Sequence, residues 1–522
     1  MALLRSITTV GGYTLLSRVL GFARDVLFAS ILGAGPAADA FFVAFKFPNL
    51  FRRLFAEGAF SAAFVPTYAG LLATAGTRAA RRFAEESLAV LLTALFVLVC
   101  AIEVLMPYAM VAIAPGFVSD PARFALAVDL TRITFPYLLF ISLVALMGAV
   151  LNAHERFAAA AASPVLLNLA LIAAVLGWGL IARSPVHAVA WGVAAAGVLQ
   201  FAWLGLALRR FGFSMGLRLP RLTPEVRRLL RLMLPVALGA GVYQINVLVD
   251  VVIGSLLPSG AISFLYYADR VNQLPLGVIG IAVATALLPL MSRQIRAGHE
   301  ADALASQNRA LEVAALLTLP AALALVVAAE PIIATLFGRG AFGPEARTAT
   351  AWALAAYAVG LPAHVAVKVL ATAYFAREDT RTPVKAGVVA LIVNVVFNLL
   401  LMGPLAHVGI ALATSISAWV NAALLARGLG RAGRLAPDRR LRRKLPRIAL
   451  SAAVMAGALA LAMPAILPHL GAPEGERVAL LAALVAGGVV AYGGLAMISG
   501  AARPGELRAA LRRASPGAGP VP

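Results

Sequence analysis

Eight charged side chains interrupt the first two apolar segments of the chain: Arg18, Arg24, Asp25, Asp39, Lys46, Arg52, Arg53 and Glu57. Arg18 and Asp25 are seven residues apart, so they share one face of a helix. Asp39, Lys46 and Arg53 repeat that spacing, and Glu57 follows Arg53 by one turn. At 1.5 Å per residue, Arg18 and Arg24 lie roughly 15–25 Å into the first segment, and Arg52 and Arg53 about 20 Å into the second. Charges at such depth are costly in hydrocarbon, and extending the side chain does not bring them to the interface. They are expected to line a hydrated cavity, with acids partly neutralising bases. The alternative is buried structural ion pairs, most of all for Asp25 and Glu57. Asp39 has a third explanation. It follows Gly33-Ala-Gly-Pro-Ala-Ala and sits where a side chain caps a helix.

Further along, Asp269 and Arg270 stand in the outer third of the eighth apolar segment, and Lys368 deep in the tenth, within snorkelling reach of the cytoplasm. Taken together, Arg18, Arg24, Arg52, Arg53, Arg270 and Lys368 leave an excess of positive charge, and a cationic cavity implies an anionic substrate. Guanidinium forks match phosphate oxygens bidentately, so phosphate or pyrophosphate is the natural candidate. A third cluster is rich in oxygen: Asp250 on the seventh segment, Asn394 and Asn398 one turn apart on the eleventh, and Thr414 one turn after Ile410 on the twelfth. One carboxylate with amide, hydroxyl and carbonyl oxygens could hold a hard monovalent cation. Hydrogen bonding between helices is the alternative.

Motifs for catalysis are missing. There is no Walker A sequence, the six histidines have no metal-ligand spacing, and no aspartate-rich run suggests a magnesium-dependent transferase. The expectation is a transporter, not an enzyme.

These residues need elements that cross a membrane. Of 522 residues, 61% are hydrophobic and 13% charged, with mean hydropathy +0.90. Runs such as Val478–Ile498 are continuously apolar rather than alternating, which excludes a β-barrel and predicts an all-α polytopic membrane protein. Fourteen spans are read, at about 7–33, 38–71, 85–114, 124–153, 158–182, 186–208, 227–257, 262–292, 308–337, 347–376, 383–402, 406–427, 446–467 and 478–500. With the N-terminus cytoplasmic, 31 of the 44 Lys and Arg fall in the ends and even-numbered loops or at the span edges beside them, and 5 in or beside the odd-numbered ones. One miscounted span would mix the two sets, so the split predicts fourteen spans with both ends cytoplasmic. It also accounts for the net charge of +21 without nucleic acid. Cys100 is the only cysteine, which excludes disulfides. The charges in the first apolar segment argue against a cleaved signal peptide.

An internal repeat runs through the first twelve spans. Gly35 and Gly260 end matching loops, 225 residues apart. Pro66 and Pro289 are 223 apart, Pro136 and Pro362 226 apart, and His187 and His407 220 apart. The fourth and tenth spans exit through Asn152-Ala-His-Glu-Arg156 and Tyr374-Phe-Ala-Arg-Glu-Asp379. The predicted organisation is an N-lobe over 1–221, a C-lobe with a basic linker over 222–444, two extra helices over 445–502, and a disordered cytoplasmic tail over 503–522.

Ser17-Arg-Val-Leu-Gly-Phe-Ala-Arg-Asp25, Gly33-Ala-Gly35, Asp39-Ala-Phe-Phe-Val-Ala-Phe-Lys46 and Pro48-Asn-Leu-Phe-Arg-Arg-Leu-Phe-Ala-Glu-Gly-Ala-Phe60 closely resemble the MurJ (MviN) family. Tyr266-Tyr-Ala-Asp-Arg270 and Thr382-Pro-Val-Lys385 are similar to it too. These are bacterial lipid II flippases of the multidrug/oligosaccharidyl-lipid/polysaccharide exporter superfamily. The resemblance implies passage of the undecaprenyl-pyrophosphate-linked peptidoglycan precursor from the inner to the outer leaflet of the cytoplasmic (inner) membrane by alternating access. It implies that Arg18, Arg24, Arg52 and Arg270 are cavity arginines and that Asp25, Asp39 and Glu57 are their acidic partners. It implies a groove for the polyprenyl tail on spans thirteen and fourteen, and contact with membrane lipid and with cell-wall synthesis proteins. It also implies a sodium (Na+) site whose spacing Asp250, Asn394, Asn398, Ile410 and Thr414 match, except that Asn398 replaces an acid. An exporter of another polyprenyl-linked oligosaccharide, or of drugs, on the same fold would have a less cationic cavity and no tail groove.

Overall fold

A computed structural model describes residues 2–52 and 60–502. Arg53, Glu57 and the tail from Arg503 lie outside the described residues. Among the described residues every regular element is a helix. Ten helices are long and apolar enough to cross a membrane, so the chain is a multi-pass membrane protein.

The chain forms two compact units. The first comprises Met1–Tyr267 with Arg339–Ala346. Its helices are α1 (Ala2–Leu32), α2 (Pro36–Phe51), α3 (Ser61–Val104), α4 (Met106–Ile113), α5 (Pro121–Thr134), α6 (Tyr137–Ala153), α7 (Phe157–Leu176), α8 (Trp178–Ile181), α9 (Pro185–Arg210) and α10 (Pro224–Ser255). Proline opens α2, α5, α9 and α10 at the first or second helical position, where its missing N–H has no partner to lose. α7 packs on α1 and α9, α6 on α3 and α9, α5 on α2, and α10 on α3. Small residues let these backbones approach. A Cβ added at Gly192, for example, would lie 2.6 Å from Ala174 Cβ. α3 bends at Gly76, whose φ is +79°.

The second unit comprises Ala268–Gly338 and Arg347–Pro522. It holds the end of α11 (Ala261–Pro275), then α12 (Ile281–Arg296), α13 (Glu300–Val327), α14 (Ala329–Phe337), α15 (Pro344–Phe375), α16 (Arg381–Arg431), α17 (Arg439–Ile466) and α18 (Glu474–Ile498). One of its cores gathers Leu287, Met291, Val365, Val369, Tyr374 and Leu425. α17 packs on α13 and α18. α16 breaks at Ala406 (φ 46°, ψ −128°), dividing its 51 residues into two limbs.

α10 falls within the first unit, which runs on to Tyr267. The reason is local. Gly116 N–H donates to Ser255 Oγ at 3.1 Å, and a Cβ at Gly116 would meet Ser255 O at 2.0 Å. That close approach draws α10 onto the first half.

Some backbone features recur at a similar offset. Glu155 (φ 58°) and Glu378 (φ 64°), 223 residues apart, are two of three non-glycine residues with positive φ among the described residues. His187 Nε2 lies 2.9 Å from Asp129 Oδ2, and His407 Nε2 lies 2.9 Å from Ala349 O. Each histidine reaches back 58 positions. The glycine match shifts, however. Gly35 is extended (φ −178°), and it is Gly33 (φ +67°) that pairs with Gly260 (φ +97°).

Candidate functional site

α1 presents its charges in two different states. Arg18 is exposed. Arg24, one and a half turns on, is only 5% exposed, and Asp25 1%. Arg24 Nη2 and Nε donate to Asp25 Oδ1 at 2.7 and 3.1 Å, and Nη1 donates to Asn168 Oδ1 of α7 at 2.9 Å. Tyr266 OH of α11 donates to the same Asp25 oxygen at 3.0 Å. Asn168 is itself held by Ser17 O, 2.9 Å from Nδ2. Phe42 of α2 stacks on Tyr266 with ring centroids 3.9 Å apart. A buried guanidinium is tolerated only with its charge and donors satisfied, and this cage satisfies them. The donors of Arg24 are thus taken up by Asp25 and Asn168, whereas the Arg18 side chain is exposed.

Arg52 donates from Nε to Asn49 Oδ1 at 3.0 Å and is half-buried. In the second unit Arg270 is half-buried on α11, next to Asp269, whose carboxylate accepts from Gln273. Lys368 is half-buried on α15, and its stem lies over Gly280, where an added Cβ would sit 3.0 Å from Lys368 Cδ.

Asp39 does not cap its own helix. Gly35 is the N-cap of α2, with no side-chain cap bond. The Asp39 carboxylate is fully buried and accepts four bonds. They come from Arg123 Nη2 at 2.5 Å, Gly260 N at 2.7 Å, Ser263 N at 2.8 Å and Ser263 Oγ at 2.5 Å. It thus fastens the start of α11, whose free N–H groups attract an anion. Around this latch the same loops meet again. Ala341 N donates to Ser30 O at 2.8 Å, and Tyr267 OH to Gly33 O at 3.2 Å.

The oxygen-rich positions form a ladder. Asn394 and Asn398 are fully buried on α16. Asn398 Nδ2 donates to Asn394 Oδ1 at 2.9 Å, Asn394 Nδ2 to Thr414 Oγ1 at 3.3 Å, and Thr414 Oγ1 to Ile410 O at 3.1 Å. A cation shell needs these oxygens turned inward with their lone pairs open. Here Asn394 Oδ1, Thr414 Oγ1 and Ile410 O each accept one of these hydrogen bonds, and an amide stands at 398 where the resemblance implies an acid. Asp250 lies on α10, in the first unit.

Several residues of this network escaped sequence reasoning. Arg123 counted as a loop arginine, yet it is buried, paired with Asp39 and stacked 3.8 Å over Phe117. Asn168 and Ser263 carried no signal beyond being polar within apolar runs, and Tyr266 entered only as part of the motif that carries the resemblance. Glu85, Glu86 and Glu312 are buried and hold the basic segments that follow each half. Their signal was available, as acids inside or at the edge of spans.

A family model described as "Lipid II flippase MurJ" matches residues 28–472. The chain belongs to this family. A probable lipid II flippase MurJ of Rhizobium meliloti (strain 1021) is 45% identical over 533 residues, covering 99% of both chains. A lipid II flippase MurJ of Burkholderia cenocepacia is 40% identical over 463 residues, covering 88% of this chain and 89% of its own. A solved lipid II flippase MurJ in an inward closed conformation superposes with TM-score 0.79 at 25% identity, covering 94% of this chain and 98% of its own. An inward-facing multidrug-resistance MATE transporter shares the fold at TM-score 0.65 and 16% identity, covering 80% of this chain and 94% of its own. The family is one of transporters, not of catalysts.

Proposed function

We propose that this chain flips lipid-linked peptidoglycan precursor, lipid II, from the inner to the outer leaflet of the bacterial inner membrane. Family membership supports the substrate. The observation that carries the mechanism is the pair of states on α1: Arg18 exposed, and Arg24 caged by Asp25, Asn168 and Tyr266. Arg18 and Arg52 meet the pyrophosphate first. Arg24 joins when the anion displaces Asp25, because a doubly charged group competes with one carboxylate for the same fork. Arg270, Lys368, Arg53 and Glu57 belong to the same set by sequence.

The reading includes fourteen spans with both ends cytoplasmic, two six-helix lobes over 1–221 and 222–444, and a tail groove on the helices of 445–502. On this topology the loops gathered by Asp39 all lie outside. Alternating access then opens the outer side by breaking the Asp39 latch and closes it by remaking it. No step is routed through sodium. Membrane potential can reset the cycle, at about 2.3 kcal/mol per charge moved through 100 mV.

The test is replacement of a bacterium's own flippase by this chain, followed by measurement of precursor reaching the outer leaflet. Wild type restores export, and Arg18→Ala, which disturbs no buried cage, inserts normally and exports poorly. Correct insertion of the wild type without export would sink the lipid II assignment in favour of another lipid-linked anion.

A further inference from the structure

A second candidate anion site lies away from the Arg24 network, within the first unit. The first turn of α7, the last turns of α9 and Tyr13 of α1 enclose a cavity of about 200 Å³, with Ala158, Ala159, Trp203 and Arg210 among its walls. That is room for about six waters at ~30 Å³ each, enough for a phosphodiester with part of its glycerol. The alanines keep the floor open, and the Trp203 indole N–H donates to Ala159 O at 3.1 Å, which fixes the ring as a wall.

The rim is basic. Arg209 and Arg210 end α9, and Arg156 precedes α7 with its guanidinium 5.5 Å over the Phe211 ring. Among the described residues none of the three pairs with a carboxylate. α7 begins with no side chain capping its first N–H groups, so its positive end faces the same region. Leu199, Trp203, Leu206 and Arg210 recur at helical spacing along α9, and all four are exposed. They make one stripe, apolar along the span and cationic at its end.

We propose that this cavity holds the phosphate of an anionic glycerophospholipid of the inner leaflet, with one acyl chain along Leu199, Trp203 and Leu206. Arg210 in the wall, with Arg209 beside it in the chain and neither paired with an acid, favours a net negative headgroup over a zwitterion, whose ammonium it repels. The apolar stripe favours a lipid over a free anion. Basic hollows between helices at the cytoplasmic side suit such headgroups. The leaflet, but not the binding itself, rests on the orientation proposed above.

The experiment is native mass spectrometry and thermal unfolding of the full chain in mild detergent, titrated with phosphatidylglycerol, phosphatidylcholine or inorganic phosphate. Phosphatidylglycerol is expected to remain bound and raise the unfolding temperature, and the other two to do neither. Arg209→Gln with Arg210→Gln should weaken that binding about tenfold, while unfolding in phosphatidylcholine stays as in wild type and reports the fold. Ala207→Leu fills the cavity and leaves every charge in place. It should weaken binding to the same degree, whereas diffuse attraction to basic loops would leave it unchanged. Equal phosphatidylglycerol binding by wild type and either variant overturns the site. An equal response to inorganic phosphate overturns the lipid. Both readouts are independent of precursor export, so a failure of the flippase reading leaves this result standing, and the reverse.

Discussion

Asn168 and Asn394 are buried asparagines 226 residues apart, at matching places in the two halves, and they keep different company. Asn168 holds the Arg24 guanidinium. Asn394 holds Asn398 and Thr414. Glu86 and Glu312, also 226 apart, make a second such pair. Glu86 accepts from Arg82 at 2.9 Å and from Thr223 Oγ1 at 3.0 Å, while its neighbour Glu85 takes Gly216 N and Arg218. Glu312 accepts from Arg440 at 2.9 and 3.0 Å, from Lys444 at 2.8 Å, and from Arg309. Each half therefore grips the segment that follows its own six spans. The first grip uses a hydroxyl, a backbone N–H and arginines that reach water. The second encloses a lysine that is 6% exposed. Positions 226 apart thus carry the same polar residue but differ in whether it meets charge. The first half puts charge in its middle, at Arg24. The second puts it at the base of α17, where the two extra helices attach.

The sharpest way to break this comparison is Asp39, because residues 259–266 contain no matching acid. Asp39→Asn keeps the shape and leaves buried Arg123 without its counter-charge. A loss of about 3–5 kcal/mol is expected in thermal or denaturant unfolding, together with loss of precursor export. A change under about 1 kcal/mol would show that the latch is not distinctive of the first half. Next come the paired glutamates. Glu312→Gln strands Lys444 and should cost about 3 kcal/mol. Glu86→Gln should cost about 1 kcal/mol or less, because the Arg82 side chain is 66% exposed and solvated. Equal losses would erase the difference between the two grips.

The amide ladder yields a smaller effect. The wild type should show no sodium-specific shift in unfolding temperature against potassium. Asn398→Asp, which cannot donate to Asn394 Oδ1 and restores the missing charge, should acquire one. A wild type already stabilised by sodium would mean that the amides turn to receive it.

The smallest effect separates the two corners by pH. Burial lowers the pKa of His154, which lies 3.0 Å from Tyr68 OH, below the ordinary 6.5. The unfolded chain then binds the proton first, so stability falls as pH drops below about 6.5. At the other corner the Thr382 hydroxyl and backbone N–H hold Asp379 below the ordinary 3.8. Its contribution is full above that value and is lost only at lower pH. His154→Gln should flatten unfolding temperature against pH between 7 and 5, and Asp379→Asn should not alter that range.

Most of the helices were legible, because long apolar runs broken by Pro and Gly leave little choice of element. The break at Ala406 was not, since alanine favours continuing a helix. Arg18 and Arg24 were legible as deep charges, but sequence spacing could not tell the exposed one from the caged one. That depends on Asn168 and Tyr266, which lie 144 and 242 residues away from Arg24. Asp39 looked like a local cap because its true partners, Arg123 and Ser263, are remote in sequence. Glu312 sat within an expected span, overshadowed by the denser charges of the first two.

The Asp39 latch also has a kinetic meaning. Four donors converge on one carboxylate, so none can leave far ahead of the others without stranding a buried charge. On the proposed cycle, opening would then be a single cooperative event rather than a gradual loosening. Turnover would be paced by rare, complete releases, and a variant that weakens one donor, such as Ser263→Ala, would raise the frequency of opening while leaving each opening just as wide.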